Sequence, residues 1–271
     1  MLLAASLVQG QTNPPAAPAA PKDPAPESPY IEDGGISVEP FYWLTSSRPK
    51  VRDGKLTAAS DKPGNFDFPG KAKGAYGLVA SFPAGRQNSL RITYFRSKGS
   101  ADTVLANDMN LFTVGYLAQD RLFTDYTVQH AKVSLDFLSY TFQNNVRFKT
   151  MWGGQATMVE GNVDAPLRAA DTGILFGTSK KWLFYPSFGV GFGQAASKHF
   201  RWEAQASGFG IPKRGAQWDA DGAAVIRLGR AEILGGYKVF SVKTSPRDDL
   251  YFRQRLSGPY VGLRWYFERM K

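Results

Sequence analysis

From Gly35 to the end of the chain, apolar residues recur at every second position, and no other feature restricts the fold as strongly. The last stretch, Gly258 to Phe267 (GPYVGLRWYF), carries the pattern most clearly. Pro259, Val261, Leu263, Trp265 and Phe267 share one face of an extended strand, and Tyr260, Gly262, Arg264 and Tyr266 share the other. Successive strand side chains point to opposite faces, so the pattern predicts one oily surface and one mixed surface.

The same alternation predicts a first strand over Ile36 to Ser46, with Glu39, Phe41 and Trp43 opposite Val38, Pro40 and Tyr42. A second presents Tyr76, Leu78, Ala80 and Phe82, and a third Leu90, Ile92 and Tyr94, with Arg91 on the opposite face. The fourth sets Ala131, Val133, Leu135 and Phe137 against His130, Lys132, Ser134 and Asp136. The fifth sets Phe148, Thr150 and Trp152 against Arg147 and Lys149, and the sixth sets Phe188, Val190 and Phe192 against Gly189, Gly191 and Gly193. Trp202, Ala204 and Ala206 oppose Arg201, Glu203 and Gln205 in the seventh, and Trp218, Ala220 and Gly222 oppose Asp219 and Asp221 in the eighth, which ends near Arg227. Ala231 to Lys243 forms the ninth strand and the closing stretch the tenth. Polar segments from about Ser47 to Lys73, Ser97 to Arg121 and Val159 to Lys180 read as long loops, alternating with short turns.

No window of around 18 consecutive apolar residues occurs, which excludes membrane-crossing helices. A negative mean hydropathy is still compatible with a membrane barrel, because only every second residue faces lipid. Open sheet edges are costly in hydrocarbon, so the expected fold is all-β: a closed antiparallel up-and-down transmembrane barrel of about ten strands, with eight or twelve as alternatives. The absence of cysteine excludes thiol nucleophiles and Cys-ligated metals, and His130 and His199 lie on opposite ends of their strands, so no metal site is expected and no cofactor.

The closing strand, with its Trp265-x-Phe267 edge, resembles that of bacterial outer-membrane β-barrel proteins of the porin/OmpA type. The resemblance implies the outer membrane of a Gram-negative bacterium, contact with membrane lipid and lipopolysaccharide, and recognition of the last strand by the barrel-insertion machinery. Residues 1–10 resemble the apolar end of a signal peptide, 11–34 form a Pro- and Ala-rich periplasmic tether, and 35–271 form the barrel. Phe188, Val190, Phe192, Trp202, Leu263, Trp265 and Phe267 are expected to face lipid. Tyr42, Trp43, Trp182, Phe184 and Trp218 join Trp202, Trp265 and Phe267 as interfacial aromatics.

Glu39, Arg91, Lys132, Asp136, Arg147, Lys149, Arg201, Glu203, Asp219, Asp221, Arg227 and Arg264 are expected to line the lumen. Opposite charges at that density must pair or hydrate, so they largely fill the bore and leave at best a small water path. The net charge of +10 suits anionic lipid; no basic run or nucleic-acid motif accompanies it. The function read from this pattern is non-enzymatic: a structural envelope protein or a narrow, charge-lined channel. One alternative is an outer-membrane hydrolase. Ten-stranded outer-membrane proteases, which the arrangement resembles, use acidic pairs and a histidine at the extracellular mouth, which makes Asp219, Asp221 and His130 the catalytic candidates. The bland reading neutralises those carboxylates through Arg227, Arg201 or Lys149. A second alternative is a soluble ligand-binding barrel, which requires the inverse of the faces given above.

Overall fold

A computed structural model describes residues 35–47, 49–53, 66–67, 72–85, 88–112, 114–142, 145–166, 175–212, 214–245 and 250–267. The segments 1–10 and 11–34, the turn residues 143–144 and 246–249, and the tail after Phe267 lie outside the described residues.

In chain order the strands are β1 (Ser37–Trp43), β2 (Lys50–Asp53), β3 (Phe66–Asp67), β4 (Ala72–Pro83), β5 (Asn88–Val104), β6 (Met109–Leu111), β7 (Val114–Tyr116), β8 (Arg121–Phe142), β9 (Val146–Asp164), β10 (Phe176–Ala195), β11 (Phe200–Ile211), β12 (Gly215–Leu228), β13 (Ala231–Lys243) and β14 (Leu250–Tyr266). Ten of them form the wall, in the order β1-β4-β5-β8-β9-β10-β11-β12-β13-β14, each antiparallel to the next. The wall closes where β14 pairs back on β1, from Ser37↔Tyr266 to Trp43↔Tyr260. This is the closed ten-stranded barrel that the alternation predicts. β2 continues β1 along β14 without a change of register, through the Ser46↔Ser257 bridge to Lys50↔Arg253.

Both ends of the described chain and four short connections lie at one rim, the turn end. The tightest of these is the Gly229-Arg230 loop between the paired residues Leu228 and Ala231. Gly229 adopts φ 66°, the left-handed conformation that a two-residue hairpin loop favours at its first position. The longer connections gather at the opposite rim, the loop end, where β6 and β7 form a small separate hairpin.

The strands there are longer than the pattern predicts. β5 continues to Val104, β8 begins at Arg121, β9 continues to Asp164 and β10 begins at Phe176, in segments read from sequence as loop. Outward positions at this height are mostly polar, as in Lys98 and Asp102 on β5 or Asp125 and Gln129 on β8, with Val104, Phe123 and Phe176 as exposed apolar exceptions, so the apolar alternation weakens while the hydrogen-bonded ladder goes on.

The outer wall below is apolar. Phe188, Val190, Phe192, Trp202, Leu263, Trp265 and Phe267 all point away from the axis and are 45 to 51% exposed. On β10 the oily face runs from Trp182 to Phe192. At ~3.3 Å per residue and a tilt of about 40°, that span stands roughly 25 Å tall, the height of a membrane-crossing barrel's apolar band. Apolar residues outside and charged residues inside are the inverse of a soluble ligand-binding barrel, so that alternative is set aside.

Candidate functional site

The interior has two storeys. In the lower one, toward the turn end, the pleat directs Glu39, Arg91, Lys132, Asp136, Arg147, Lys149, Arg201, Glu203, Asp219, Asp221 and Arg264 toward the axis, and most of them are buried. Arg227 shares the inward register, opposite Glu232, but sits at the turn-end rim. There its Nε donates to the Gly229 carbonyl at 3.4 Å.

Charged hydrogen bonds organise this storey. Arg264 donates to Glu39 at 2.8 Å, to Glu203 at 3.1 and 3.2 Å, and to Glu232 at 3.2 Å. Arg201 grips Glu232 with both terminal nitrogens and donates to Glu203 through Nε at 2.5 Å. The Tyr266 hydroxyl donates to Glu232 at 3.1 Å. Such multiply bonded guanidinium–carboxylate contacts recover much of what burying the charges costs.

Higher up, Lys132 Nζ donates to Asp219 at 2.7 Å and to the Ser207 hydroxyl at 2.9 Å, and Ser207 donates to the second Asp219 oxygen at 2.7 Å. Asp221 accepts from Lys238 at 3.1 Å and from Gln205 at 2.9 Å. Arg91 Nε lies 3.1 Å from Asp136, close enough for an ion pair though not aligned for a hydrogen bond. The two carboxylates read as a catalytic pair are therefore each bound to a lysine. The lysines are Lys132 and Lys238, not the Arg227, Arg201 or Lys149 expected from sequence. Which residues meet across a barrel depends on strand tilt and stagger, and those offsets are not visible in any single strand's pattern.

Between these side chains lies a cavity of about 60 Å³, bordered by Arg147, Lys149 and the inward glycine Gly191. At ~10–15 Å³ per water it holds about five waters. A smaller cavity of about 20 Å³ leads toward the turn end and shares Glu39, Arg91 and Arg264 with it. Gly189, inward on the same strand, serves close packing: a Cβ there would meet Ser207 Cβ at 2.5 Å.

The upper storey is built around aromatic and aliphatic side chains. Trp43 from β1, Phe95 from β5 and Phe240 from β13 converge on the axis, all fully buried. Trp43 meets Phe95 edge-to-face at 5.6 Å, and Phe95 meets Phe240 at 5.0 Å. Trp43 keeps its indole N–H satisfied by donating to the Gly258 carbonyl at 3.1 Å. Around and above them Leu122, Tyr126, Val128, Val159, Leu111, Tyr116 and Leu256 complete a buried apolar cluster, with Ser97, Gln217, Thr244 and Gln254 buried beside it. Sequence composition placed Trp43 in the interfacial girdle; the structure places it inside, because it shares the register of Glu39 and Phe41 and the pleat outranks residue type.

His130 marks the boundary between the storeys. Its ring packs at 5.1 Å from Phe95 and 4.8 Å from Phe240, and Nδ1 lies 3.0 Å from both the Thr157 hydroxyl and the Gln217 amide nitrogen. Neither Asp219 nor Asp221 is among its hydrogen-bond partners; in register His130 stands opposite Phe95, and Asp219 opposite Phe240. His199 stays on an exposed turn, with Nδ1 3.3 Å from the Arg227 carbonyl. No group of three or more potential metal ligands occurs among the described residues. The sequence does carry the signal for this layer: Trp43, Phe95 and Phe240 each sit at an inward position of their strand's alternation.

No protein-family model matches the chain, and no curated protein does. Among solved structures it is similar to the outer membrane protease OmpT from Escherichia coli, at 10% identity and a TM-score of 0.56, over 87% of this chain and 97% of that one. The translocator domain of the autotransporter NalP from Neisseria meningitidis matches at 12% identity and a TM-score of 0.45, over 86% of this chain and 90% of that one. Identity this low speaks to fold alone, and the chain has the fold of the outer-membrane β-barrels.

Proposed function

We propose that this protein is a non-enzymatic structural barrel of the Gram-negative outer membrane, closed to solutes at its extracellular end. The loop end faces outward and the turn end faces the periplasm, the usual placement of long loops and short turns in such barrels. The observation that carries this reading is the layer of Trp43, Phe95 and Phe240 across the axis, with the buried apolar cluster around and above it. A narrow, charge-lined channel needs a continuous wet path, and here the cavity among the lumen charges abuts Phe95 of that layer. The hydrolase alternative needs carboxylates open to substrate, whereas Asp219 is 5% exposed and hydrogen-bonded to Lys132 and Ser207. The aromatic outward face of the closing strand supports delivery by the barrel-insertion machinery, and the apolar wall supports intimate contact with membrane lipid.

The test is conductance in planar bilayers. Wild-type protein is expected to show no steady ion current, and a variant with Trp43, Phe95 and Phe240 all replaced by alanine is expected to show discrete openings. A steady current from the wild type would overturn the proposal, as would hydrolysis of peptide or lipopolysaccharide that disappears in Asp219→Asn.

A further inference from the structure

On the outer surface of β12, β13 and β14, basic residues stand in an arrangement that the sheet itself opposes. Lys243 on β13 lies directly opposite Arg253 on β14, with Lys50 of β2 next in the same row and Asp67 of β3 beyond it, opposite Lys50. Like charges in direct cross-strand register are destabilising unless an anion lies between them. One step toward the turn end, Arg255 lies opposite Ser241, which in turn lies opposite Trp218 on β12, and the Arg255 guanidinium sits 5.8 Å from the Trp218 ring centre. No carboxylate pairs with Lys243, Arg253 or Arg255 among the described residues. Trp218 tops the apolar face of β12, so these cations stand at the level where hydrocarbon gives way to headgroups.

Directly below, the wall is hollowed. Ala204, Ala206, Ala220 and Gly222 are neighbours in register and form a floor of small residues. Phe192 forms one bank and Tyr237 the other, and the open groove between them measures about 510 Å³. The register links groove and cations without a gap: Ala220 pairs with Val239, and two residues further along, Trp218 pairs with Ser241. The groove is apolar and faces hydrocarbon; its upper end is cationic.

We propose that this face is a binding site for one phosphate-bearing acyl lipid of the surrounding leaflet, of the lipid A type. Its phosphate bridges Lys243, Arg253 and Arg255, and an acyl chain lies in the groove. A phosphate placed there turns the repulsion between Lys243 and Arg253 into two charge-assisted contacts, and arginine adds paired donors that match phosphate oxygens. The proposal concerns the outer wall, so it stands or falls separately from the closure of the lumen.

The experiment titrates diphosphoryl lipid A, the same lipid after dephosphorylation, and inorganic phosphate against the full-length protein in detergent micelles, with bound lipid counted by native mass spectrometry. The wild type is expected to retain one diphosphoryl lipid A, with affinity at least tenfold above that for the dephosphorylated form and no retention of inorganic phosphate. The combined variant Lys243→Ala, Arg253→Ala, Arg255→Ala changes only outward side chains and is expected to lose at least tenfold in affinity while still migrating as a folded barrel on unheated gels. Gly222→Leu fills the groove at a position where an added Cβ meets nothing nearer than the Glu203 carbonyl at 3.8 Å, and it is expected to weaken retention of the acylated lipid. Equal retention of the dephosphorylated lipid, or unchanged affinity in the folded triple variant, would overturn the site. Unchanged affinity in Gly222→Leu would overturn the acyl-chain placement.

Discussion

The contact between Lys132 and Asp219 provides the sharpest energetic test of a lumen filled by charge pairs. The two side chains come from strands 87 residues apart in sequence, meet at 2.7 Å, and are 5% and 7% exposed. Two unit charges at ~4 Å attract by about 4 kcal/mol at an effective dielectric constant near 20, and water reaching either one would cut that steeply. Asp219→Ala leaves Lys132 buried with the Ser207 hydroxyl as its remaining partner here, and Lys132→Ala strands the carboxylate in the same way. Either single replacement is expected to cost about 3–5 kcal/mol, because an uncompensated charge stays buried. Replacing both, Lys132→Met with Asp219→Leu, removes both charges and is expected to fall within about 1 kcal/mol of wild type. Urea unfolding in lipid vesicles, followed by tryptophan fluorescence and unheated gel mobility, measures all three. Single variants within about 1 kcal/mol of wild type, or a double variant whose loss equals the sum of the singles, would refute the reasoning, since both mean that the pair is hydrated.

Other consequences follow from the same geometry. Gly189→Leu should prevent or severely slow refolding into vesicles, because even its Cβ would meet Ser207 at 2.5 Å; Gly154→Ala and Gly235→Ala, with nothing within 4 Å, should refold like wild type. Tyr116 on the loop-end hairpin donates to the Val163 carbonyl, and its phenol is pushed up to about 12, first by burial and then by the nearby Asp164. A raised acid pKa favours the folded protein fully below the ordinary phenol value and ceases to do so as pH climbs from about 10 to about 12. Absorbance titration of Tyr116→Phe should therefore show one late-ionising tyrosine fewer than the wild type. At the loop-end margin, hydrogen bonds and charge from Arg121 hold the Asp102 carboxyl below its ordinary value. Asp102→Asn should leave unfolding at neutral pH unchanged within error, because the pair is fully exposed and screened by salt.

Much of the wall was legible in the sequence. Alternation located every barrel strand, and β13 agrees end for end, because one face of each strand meets hydrocarbon and the other meets an enclosed polar space. Four things were not legible, each for its own reason. The heights of β5, β8, β9 and β10 were underestimated because outward positions such as Lys98, Gln129 and Asn162 meet water, where nothing requires an apolar residue. The lysine partners of Asp219 and Asp221 depend on how far neighbouring strands are staggered around the whole barrel. The apolar upper storey was hidden in plain register: Phe41, Trp43 and Phe95 alternate inward with Glu39 and Thr93, so one strand face carries polar residues below and aromatic ones above. β2 escaped notice because four residues in a polar stretch give no periodic signal, although their pairing with Leu250–Arg253 continues that of β1.

The most direct measurement exploits the chain's six tryptophans, reduced to one at a time by replacing the others with phenylalanine. Trp43 is fully buried on the axis, while Trp202 is 51% exposed on the outer wall. In vesicles, the protein keeping only Trp43 should resist quenching both by brominated acyl chains and by iodide in the external solution. The protein keeping only Trp202 should be quenched strongly by the brominated lipid. Strong iodide quenching of Trp43 would mean an open, water-filled lumen, and strong quenching by brominated lipid would mean that its strand faces the other way; either result contradicts a barrel sealed by aromatic side chains.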